Sequence, residues 1–425
     1  MACSASTKRK DYCKIMAKNY TLSVKEDSAG IVDVLGFKVA GVSSDIRNKN
    51  DGRLDTAIIK SDVLATAAGT FTTNDVKAAP VYVDIEHLWK SPKIGAVIAN
   101  SGNANACTGQ RGMDDARKMC ALVAKEFGLL ENEVLVSSTG RIGEFMPMEK
   151  IEKGIKEAVL KISNSQESGV AAASAILTSD TRKKTISITV NCGDKEFHMG
   201  AMAKGAGMIE PNMATMLAYI ACDAEISQKL LKECLSKSVE MSFNCISVDG
   251  DMSTNDTVLV LCNGQSHVKI DDNADLLEAF KEALQTVCSY LASHIVADGE
   301  KITKVVQVNI SGAKSEEQAR KIAKSIANSM LVKSAWYGGD PNWGRLVDAA
   351  GYAKTGIDFQ KMDLAYNNIP VIAKGEVLAN NKPLWKKEVA EKSFAVNMNL
   401  NLGEFSWTVL TTDLSEAYVD FNKGE

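Results

Sequence analysis

The sequence predicts an α/β fold of the mixed α+β kind, and three observations support this class. Short apolar runs typical of buried strands alternate with longer segments in which apolar residues recur every three to four positions, as in amphipathic helices. These segments follow no strict strand–helix–strand rhythm, which favours mixed sheets over a purely parallel one. The 425-residue chain is long enough for a large core and shows no internal repeat. We therefore expect mixed sheets packed in layers, with helices outside.

The individual elements follow in order along the chain. Strands are expected at 94–99, 134–137, 185–191, 216–221, 257–262 and 304–310. Helices are expected at about 113–127, 148–162, 227–240 and 275–293. Another helix should begin after Ser315, because Ser315 and Gln318 have the spacing of a capping box. The alternating run at 395–415 predicts a hairpin around Gly403 with one solvated face.

Composition and charge argue against two classes of partner. The chain is 45% hydrophobic and 24% charged, with a net charge of −4, so no general basic field attracts nucleic acid. No apolar run approaches the roughly 20 residues of a membrane span. The partners that we expect are small molecules, with neither nucleic acid nor membrane among them.

The N-terminal residues lack the apolar core of a secretory signal, so we expect a cytoplasmic protein. A mitochondrial transit segment is the alternative, because the start is basic and contains serine. It has no amphipathic arginine pattern, however, and it includes Asp11. Met16 can serve as an alternative start, which would make residues 1–15 a dispensable extension.

Cysteine and histidine usage argues against disulfide and metal sites. The ten cysteines include no CxxC pair, and several lie in apolar runs, so reduced thiols are expected. The four histidines have no zinc-binding spacing, and their small number also disfavours a serine–histidine–aspartate hydrolase. Residues 249–257 begin like a calcium loop, but Val260 occupies the position of the required glutamate. We expect no metal and no resident cofactor.

Thr215 is the most informative single residue. It lies where a run rich in small and turn-forming residues meets the apolar stretch 216–221. A threonine hydroxyl is a poor nucleophile, but cutting the peptide bond before it frees an α-amine that can act as its base. Such an amine titrates near pH 7.7–8.0 in model peptides. The alternative is that Thr215 merely opens a β-strand, and local chemistry alone favours that alternative.

Two polar clusters, 99–109 and 137–145, each follow a short apolar strand. Glycines and small polar residues at strand ends let backbone N–H groups approach a ligand. Thr139 and Gly140 can therefore form an oxyanion hole, a pair of donors directed at an oxygen that becomes negative during acyl transfer. An ordinary turn is the alternative for this segment.

Three further clusters are rich in short polar side chains or in glycine. Residues 177–184 and 249–257 predict hydrogen-bonded loops, the second of them near the site. Residues 337–345 carry a glycine-rich turn with a tryptophan and an arginine. That turn is either an exposed surface turn or a loop that faces substrate.

Long motifs connect these clusters between Gly36 and Asn422: GFKVAGVSSDIR, TFTTNDVKAAPV, ANSGNANACTG, SSTGRIG, LTSDT, KGAGMIEPNMATML, FNCISVDGDMSTNDT, DGEKITK and GGDPNWGR. In this order they resemble the ornithine acetyltransferase family, also called the bifunctional glutamate N-acetyltransferases of arginine biosynthesis. So many long motifs in one order make the resemblance highly specific. It favours the nucleophile interpretation of Thr215 over a plain strand start.

The resemblance implies self-cleavage between Ala214 and Thr215, with an α chain of 16–214 and a β chain of 215–425. It also implies an N-terminal-nucleophile-like fold and an α2β2 heterotetramer of the fragments. Thr215 would attack the acetyl group of N2-acetylornithine, release ornithine and pass the acetyl to glutamate, a two-step transfer with ping-pong kinetics. Whether acetyl-CoA is a second donor, and whether the enzyme is feedback-inhibited, stays open.

The same resemblance assigns roles to individual residues. The implied oxyanion donors are Thr139 and Gly140, and the implied substrate ligands are Thr178, Lys204, Thr215, Glu300 and Asn422. The residue types suit the substrates, because Lys204 can meet an α-carboxylate and Glu300 can meet the amine of ornithine.

The chain departs from the family's pattern at several positions. Ala206 replaces the motif's usual serine, and Asp75 stands where a basic residue is usual. Lys301 replaces the second glycine of a common DGEG, which puts a positive charge beside Glu300. Family members usually extend slightly past the position of Glu425 with a threonine or serine that touches substrate. We therefore expect any difference to concern substrate selectivity more than the acyl chemistry.

Two other functions stay open on sequence alone. A related N-terminal-nucleophile amidase or aminopeptidase would give the acyl group to water. An uncut member of the fold would bind a ligand without turnover, although every residue of the implied acyl-transfer machinery is present.

Overall fold

The computed structural model describes residues 19–210 and 216–423, and the structural statements below concern those ranges. The predicted extension 1–15 and the predicted cleavage residues Ala214 and Thr215 lie outside them, as does Glu425. Within these ranges, no helix is both long and apolar enough to cross a membrane.

The elements alternate irregularly along the chain. The described strands are β1 (Tyr20–Glu26), β2 (Phe37–Val42), β3 (Thr56–Phe71), β4 (Lys93–Asn103), β5 (Val134–Arg141), β6 (Lys184–Cys192), β7 (Lys195–Lys204), β8 (Leu217–Cys222), β9 (Thr257–Cys262), β10 (Val305–Ala313), β11 (Asp363–Tyr366), β12 (Ile369–Ala373), β13 (Glu376–Val377), β14 (Ser393–Asn399) and β15 (Phe405–Thr412). The described α-helices are α1 (Ala79–Lys90), α2 (Gly109–Phe127), α3 (Met148–Lys161), α4 (Gln166–Ala175), α5 (Gln228–Glu240), α6 (Ala274–Val296), α7 (Glu316–Ala327), α8 (Met330–Tyr337), α9 (Trp343–Gly351), α10 (Lys382–Ala390) and α11 (Glu416–Phe421).

The first nine strands form one mixed sheet in the order β1-β6-β7-β8-β9-β3-β4-β5, with β2 added against β3. Neighbouring strands are antiparallel except for two pairs, β8 with β9 and β4 with β5, which are parallel. The long strand β3 joins the two halves of the sheet. Its residues 56–60 and 65–66 pair with β4, and its residues 66–71 pair with β9 on the other side.

The two halves of this sheet share one apolar core, and each half packs its other face against helices. Leu217, Tyr219 and Ala221 of β8 contribute to the shared core together with Ile59 of β3. The alternate residues of β8 pack against α5 and α6. In the other half, the outer faces of β4 and β5 pack against α1, α2 and α3. The predicted layers of mixed sheet with helices outside are thus confirmed.

The predicted helices at 113–127, 148–162, 227–240 and 275–293 are confirmed as α2, α3, α5 and α6. The capping box at α7 differs slightly from the prediction. Ser315 accepts a hydrogen bond from the Gln318 N–H at 3.1 Å, as expected for a helix N-cap. The Gln318 side chain, however, accepts from the N–H of Lys314, one residue before the cap.

A second sheet has six strands in the order β13-β12-β11-β14-β10-β15, and it packs against α7, α8, α9 and α10. The hairpin predicted at 395–415 is wrong. β10 lies between β14 and β15, parallel to the first and antiparallel to the second. The turn at Gly403 therefore crosses the end of β10, where the N–H groups of Leu402 and Gly403 both donate to the carbonyl oxygen of Gly312. An alternating pattern indicates which face of a strand is buried, but it does not indicate which other strand pairs with it.

Candidate active site

Two predicted site residues from separate strands meet in the folded chain. Thr139 lies near the end of β5, Lys204 is the last residue of β7, and both side chains are buried. The Lys204 Nζ donates a hydrogen bond to the Thr139 Oγ1 at 3.2 Å. Because an ammonium group has only donors, the threonine oxygen must accept, and its own hydrogen stays available for another acceptor. The Thr139 hydroxyl can therefore donate to a carbonyl oxygen.

Gly140 occupies a position that has no room for a side chain. Its φ is 134°, and a Cβ added there would lie 2.4 Å from the carbonyl carbon of Gly102 on β4. Since β4 and β5 are parallel, their ends lie at the same edge of the sheet. The close approach of these two glycines brings the polar clusters 99–109 and 137–145 together.

A buried carboxylate, Asp180, connects Thr178 with the segment that follows Lys204. One Asp180 oxygen accepts from the Gly205 N–H at 2.6 Å and from the Lys184 Nζ at 2.7 Å. The other oxygen accepts from the Thr178 N–H at 3.0 Å. Burial alone would raise the pKa of Asp180, but Lys204 and Lys184 outweigh it and hold that pKa at about 2. Asp180 is thus a fixed negative charge beneath the predicted ligands.

Lys184 extends this cluster toward Glu300. Its fully buried Nζ lies 2.6 Å from an oxygen of Asp298, two residues before Glu300 in the sequence. Asp298 also accepts from the Thr181 N–H at 3.1 Å. A buried ion pair is stable only when its remaining hydrogen-bonding capacity is satisfied, and these contacts provide that satisfaction. The 178–184 loop and the 298–300 turn are therefore held together.

Glu300 contacts one other predicted ligand, Asn422, and three residues that were not predicted. The Ser179 hydroxyl donates to its Oε1, and the Asn422 Nδ2 donates to its Oε2 at 3.3 Å. Its backbone N–H donates to the carbonyl oxygen of Ala206 at 2.9 Å. A Cβ added at Gly207 would lie 2.4 Å from the Glu300 carboxyl carbon, so only glycine permits this approach. Asn422 itself is exposed, at the C-terminal end of α11.

The electrostatic setting of Lys204 suits recognition of an anion. Burial, reinforced by the nearby charge of Lys184, lowers the pKa of its ammonium group, while Asp180 and Glu300 oppose that change. A desolvated cation binds a carboxylate more strongly than an exposed one does. The predicted pairing of Lys204 with an α-carboxylate is consistent with this environment.

The segment before the predicted cleavage site is anchored by Asp249. One carboxyl oxygen of Asp249 accepts from the Met208 N–H at 2.6 Å, and the other accepts from the Ile209 N–H at 2.7 Å. The Tyr418 hydroxyl donates to the same carboxyl at 3.3 Å. The predicted loop at 249–257 thus uses the carboxylate of its first residue to hold backbone.

The segment after the predicted cleavage site is anchored by the other end of the same loop. The Met216 N–H donates to the Asp256 Oδ1 at 3.0 Å, and the Met216 carbonyl accepts from the Thr257 N–H at 3.1 Å. The next residue, Leu217, pairs with Lys204 across β7 and β8. The strand that begins just after Thr215 in the sequence therefore runs directly beside the Lys204–Thr139 contact.

Sequence reasoning missed three carboxylates of this region: Asp180, Asp249 and Asp256. All three lie within the polar clusters that were recognised as hydrogen-bonded loops. Each accepts a hydrogen bond from a backbone N–H group that is 25 to 41 residues away in the sequence. Local composition could indicate that such loops are hydrogen-bonded, but it could not identify these partners.

Two cavities lie away from the predicted ligands. The 337–345 loop caps α9 through the Asn342 side chain, and it borders a cavity of about 430 Å³ with Trp385 of α10. Contact of the 337–345 loop with substrate stays a prediction.

A larger groove of about 1080 Å³ lies between α5 and α6, and its walls include none of the predicted site residues.

The chain has extensive similarity to known sequences. A sequence model of the ArgJ family matches residues 38–424. The arginine biosynthesis bifunctional protein ArgJ of Caldanaerobacter subterraneus subsp. tengcongensis is 43% identical over 392 residues, 91% of this chain and 96% of that protein. The protein of the same name from Thermotoga neapolitana is 44% identical over 393 residues, 91% of this chain and 98% of that protein.

Solved structures give shorter matches. The ArgJ protein from Bacillus halodurans is 40% identical, with a TM-score of 0.42, over 46% of this chain and 100% of that chain. The ornithine acetyltransferase of Mycobacterium tuberculosis, solved with ornithine, is 34% identical, with a TM-score of 0.40, over 45% of this chain and 98% of that chain.

The family match covers nearly the whole chain, and the identities above 40% extend over 91% of it. This chain therefore belongs to the ArgJ family.

Proposed function

We propose that the chain is a self-processing acetyltransferase of arginine biosynthesis, which moves an acetyl group from N2-acetylornithine to glutamate through an ester on Thr215. The observation that supports this most directly is the hydrogen bond from Lys204 to Thr139 beside the start of β8. It combines a buried cation and an available hydroxyl donor next to the strand that follows Thr215. The names of the curated relatives assign those proteins to arginine biosynthesis, which supports the same pathway here.

In the first half of the reaction, the α-amine of processed Thr215 takes the proton of its own hydroxyl. The oxygen then attacks the acetyl carbonyl carbon, and the carbonyl oxygen becomes negative. The Thr139 hydroxyl and the Gly140 N–H donate to that oxygen. The bond between the acetyl carbon and the ornithine nitrogen breaks, and the protonated α-amine of Thr215 gives its proton to that nitrogen as ornithine leaves.

In the second half, the amine of glutamate attacks the acetyl ester. The same donors stabilise the oxyanion, the α-amine of Thr215 takes a proton from the attacking nitrogen, and that proton passes to the Thr215 oxygen as the ester bond breaks. Both substrates carry an α-carboxylate, which Lys204 can bind in either half. The side-chain ammonium of ornithine needs a negative partner, and Glu300 carries that charge while Asn422 hydrogen-bonds to it, so we assign both residues to ornithine recognition. Thr178 completes the set through its link to Asp180.

Two measurements on one preparation test the proposal. Denaturing electrophoresis should resolve two fragments, each about half of the 45.7 kDa chain, and N-terminal sequencing of one should begin at Thr215. Incubation with acetylornithine and glutamate should yield ornithine and N-acetylglutamate in equal amounts. Thr215→Ala should abolish both results. An active preparation that consists of one uncut chain would refute the proposal.

Hydrolysis is the competing enzymatic outcome. Acetylornithine supplied without glutamate should give little ornithine, because the acetyl group has no acceptor but water. Rapid release of ornithine and acetate would favour an amidase or aminopeptidase instead. An uncut chain that binds acetylornithine tightly without turnover would favour a ligand-binding protein.

The acetyl-CoA-dependent activity and the oligomeric state are also part of the proposal. An acetyl-CoA-dependent acetylation of glutamate on the same preparation would make the enzyme bifunctional, and no other cofactor is required by the steps above. We expect the fragments to assemble as α2β2, which light scattering on the processed enzyme can measure.

A further inference from the structure

Two adjacent residues of the turn between α4 and β6 hold two predicted ligands of opposite charge. Asp180 accepts the N–H of Gly205 at 2.6 Å, and Gly205 directly follows Lys204 in the sequence. The hydroxyl of Ser179 donates to the Oε1 of Glu300. Because Ser179 and Asp180 are neighbours in the chain, a single peptide unit connects the Glu300 carboxylate with the segment that follows Lys204.

A second set of contacts fixes this connection. The fully buried Nζ of Lys184 lies 2.7 Å from an oxygen of Asp180 and 2.6 Å from an oxygen of Asp298. Two residues after Asp298, the Glu300 N–H donates to the carbonyl oxygen of Ala206 at 2.9 Å. These contacts close a ring, so Glu300 cannot move away from the end of β7 without breaking a hydrogen bond or a buried ion pair, and breaking a buried ion pair is strongly destabilising.

The Glu300 carboxylate retains capacity for a further donor. Ser179 donates to its Oε1, and the Asn422 Nδ2 donates to its Oε2 at 3.3 Å. A carboxylate has about four acceptor positions, so roughly half of them stay available for an ammonium group. The neighbouring Lys301 directs its own ammonium to the Phe421 ring, at 4.8 Å from the ring centroid. Within the described ranges, Glu300 forms no ion pair.

A fixed separation between two charged ligands selects the length of the molecule that binds them. In the proposed reaction, Lys204 binds the α-carboxylate of acetylornithine and Glu300 binds its side-chain ammonium. An analogue with one methylene fewer or more can meet both residues only if one of them moves. One extra or missing methylene in a fitted pocket changes kcat/KM by about 10- to 200-fold.

We propose that the turn 178–181 determines the side-chain length of the acetylated diamino acid that the enzyme accepts, and that Ser179 is the residue that positions Glu300 for this purpose. The inference rests on the proposed function and deepens it, because it identifies what makes the ornithine site selective. Ser179 acts through Glu300, so it is a positioning residue.

The two halves of the ping-pong reaction separate this role from a general defect. The kcat/KM for acetylornithine depends on the first half alone, and the kcat/KM for glutamate depends on the second half alone. Glutamate has no side-chain ammonium for Glu300 to attract. Loss of the Ser179 hydroxyl should therefore impair the first half and spare the second, whereas a structural defect would impair both.

The test compares Ser179→Ala with Ser179→Thr, which keeps the hydroxyl, in the processed enzyme. Ser179→Ala should lower kcat/KM for acetylornithine about tenfold, the effect of losing a hydrogen bond to a charged group, and should leave kcat/KM for glutamate within about twofold. The preference for acetylornithine over N2-acetyllysine and N2-acetyl-2,4-diaminobutyrate, one methylene longer and shorter, should fall about fivefold or more. Ser179→Thr should restore both values.

Ser227→Ala is the matched control. The Ser227 hydroxyl also donates to a carboxylate, that of Asp271, but this exposed pair precedes α5 and contacts none of the predicted site residues. Ser227→Ala should have the kinetics and the selectivity of the wild type.

Several outcomes would overturn the inference. They are an unchanged selectivity in Ser179→Ala, an equal fall in kcat/KM for glutamate, and a Ser179→Thr variant that behaves like Ser179→Ala. If Ser179→Ala melts far below the wild type, Ser179→Cys takes its place, because a thiol has similar size and is a weak donor, and the same comparisons decide.

The wild type alone distinguishes this inference from the proposed function. A wild-type enzyme that transfers acetyl groups equally well from all three acetylated diamino acids refutes the role of the turn and leaves the proposed function standing. A wild-type chain that transfers no acetyl group refutes the proposed function itself.

Discussion

Lys301 places its ammonium nitrogen 4.8 Å from the centroid of the Phe421 ring, and it does so from a backbone φ of 55°. This left-handed conformation costs a non-glycine residue roughly 1–2 kcal/mol, and the similar family commonly has glycine there. The Lys301 carbonyl also accepts from the Ser415 hydroxyl at 2.6 Å. Helix α11 contains no buried residue, so it is held beside the site by polar and ring contacts: these two, the Asn422–Glu300 hydrogen bond and the hydrogen bond from Tyr418 to Asp249.

We expect Lys301→Met and Lys301→Gly to loosen α11 and weaken substrate binding. A cation–π contact at an exposed site contributes about 0.5–1 kcal/mol, which corresponds to a rise of roughly two- to fivefold in KM for acetylornithine. The two variants should differ in stability, because the left-handed backbone conformation at position 301 destabilises the fold with methionine there but not with glycine. Urea unfolding should find Lys301→Gly more stable than Lys301→Met by about 0.5–1 kcal/mol. Lys321→Met, which removes an exposed pair with Glu317, is the control; an unchanged KM in both Lys301 variants would contradict the role of the ring contact.

Lys204→Met should impair binding of the α-carboxylate. A hydrogen bond to a charged group contributes about 1.5–3 kcal/mol, so kcat/KM for acetylornithine should fall roughly 10- to 150-fold. Methionine preserves most of the buried stem, which limits the loss of packing. The control is Lys60→Met, a half-buried lysine of β3 whose ammonium lies near the Phe127 ring. Similar losses at both positions would show that burial of a lysine, not recognition of a carboxylate, explains the effect.

Thr139→Val should lower kcat by about 10²–10³-fold, the range found for loss of one oxyanion donor. Valine keeps the shape of threonine and removes only the hydroxyl. Thr139→Ser restores the donor and should keep kcat within a few-fold of the wild type. Steady-state kinetics on processed enzyme distinguishes the two, and equal rates for valine and serine would exclude the hydroxyl from the oxyanion hole.

Gly140→Ala tests the contact between the strand ends. The added Cβ would lie 2.4 Å from the Gly102 carbonyl carbon, so the backbone of β4 or β5 must shift. We expect a loss of at least 2 kcal/mol in the free energy of unfolding, in the range of overpacking and backbone strain together. Gly143→Ala is a matched control, because Gly143 also has a positive φ of 86° but open space at its Cβ. The difference between the two variants isolates the steric contact.

Lys333 predicts a pH dependence of stability. Its buried Nζ donates to the hydroxyls of Thr411 and Thr412 at 3.1 and 3.2 Å. Burial lowers its pKa to about 7, although Asp249 and Asp413 oppose the change. An unfolded lysine titrates near pH 10.4, so the unfolded state binds a proton at a higher pH than the folded state does. The free energy of unfolding should therefore decrease as the pH falls from about 10 to 7.

The wild type should therefore gain stability between pH 7 and pH 10 relative to Lys333→Met. Urea midpoints at each pH unit measure this difference, and the exposed Lys321→Met supplies the baseline. If the plots of urea midpoint against pH for the wild type and Lys333→Met stay parallel between pH 7 and pH 10, the lowered pKa of Lys333 would be contradicted.

The helices could be predicted from sequence because their signal is local. α5 and α6 each carry apolar residues at helical spacing and an N-cap residue, Ser227 or Asn273, and both were found close to the expected bounds. The hairpin at 395–415 failed because the strand that separates β14 from β15 is encoded some 80 residues earlier. Pairing over that distance depends on how the layers assemble, which alternation does not encode.

The candidate site likewise contains residues that could be predicted from the sequence and residues that could not. The resemblance to a family supplied Thr139, Lys204, Glu300 and Asn422, and the structure brings the first two into contact and joins the last two by a hydrogen bond. Asp180 could not be identified from the sequence, because its role is to accept hydrogen bonds from the backbone N–H groups of Gly205 and Thr178 at the same time. Such a role exists only after folding, when a side chain from one loop meets the backbone of another.

The strand order has a consequence for the two halves of the chain. β8 and β9 lie between β7 and β3, although both of those strands precede position 215 in the sequence. A cut before Thr215 would leave the fragments interleaved within one hydrogen-bonded sheet, joined along both the β7–β8 and the β9–β3 edges. Pulling them apart would mean unfolding them, and rejoining them would be a bimolecular reaction that dilution slows. Each pair of fragments would thus stay matched for the lifetime of its fold.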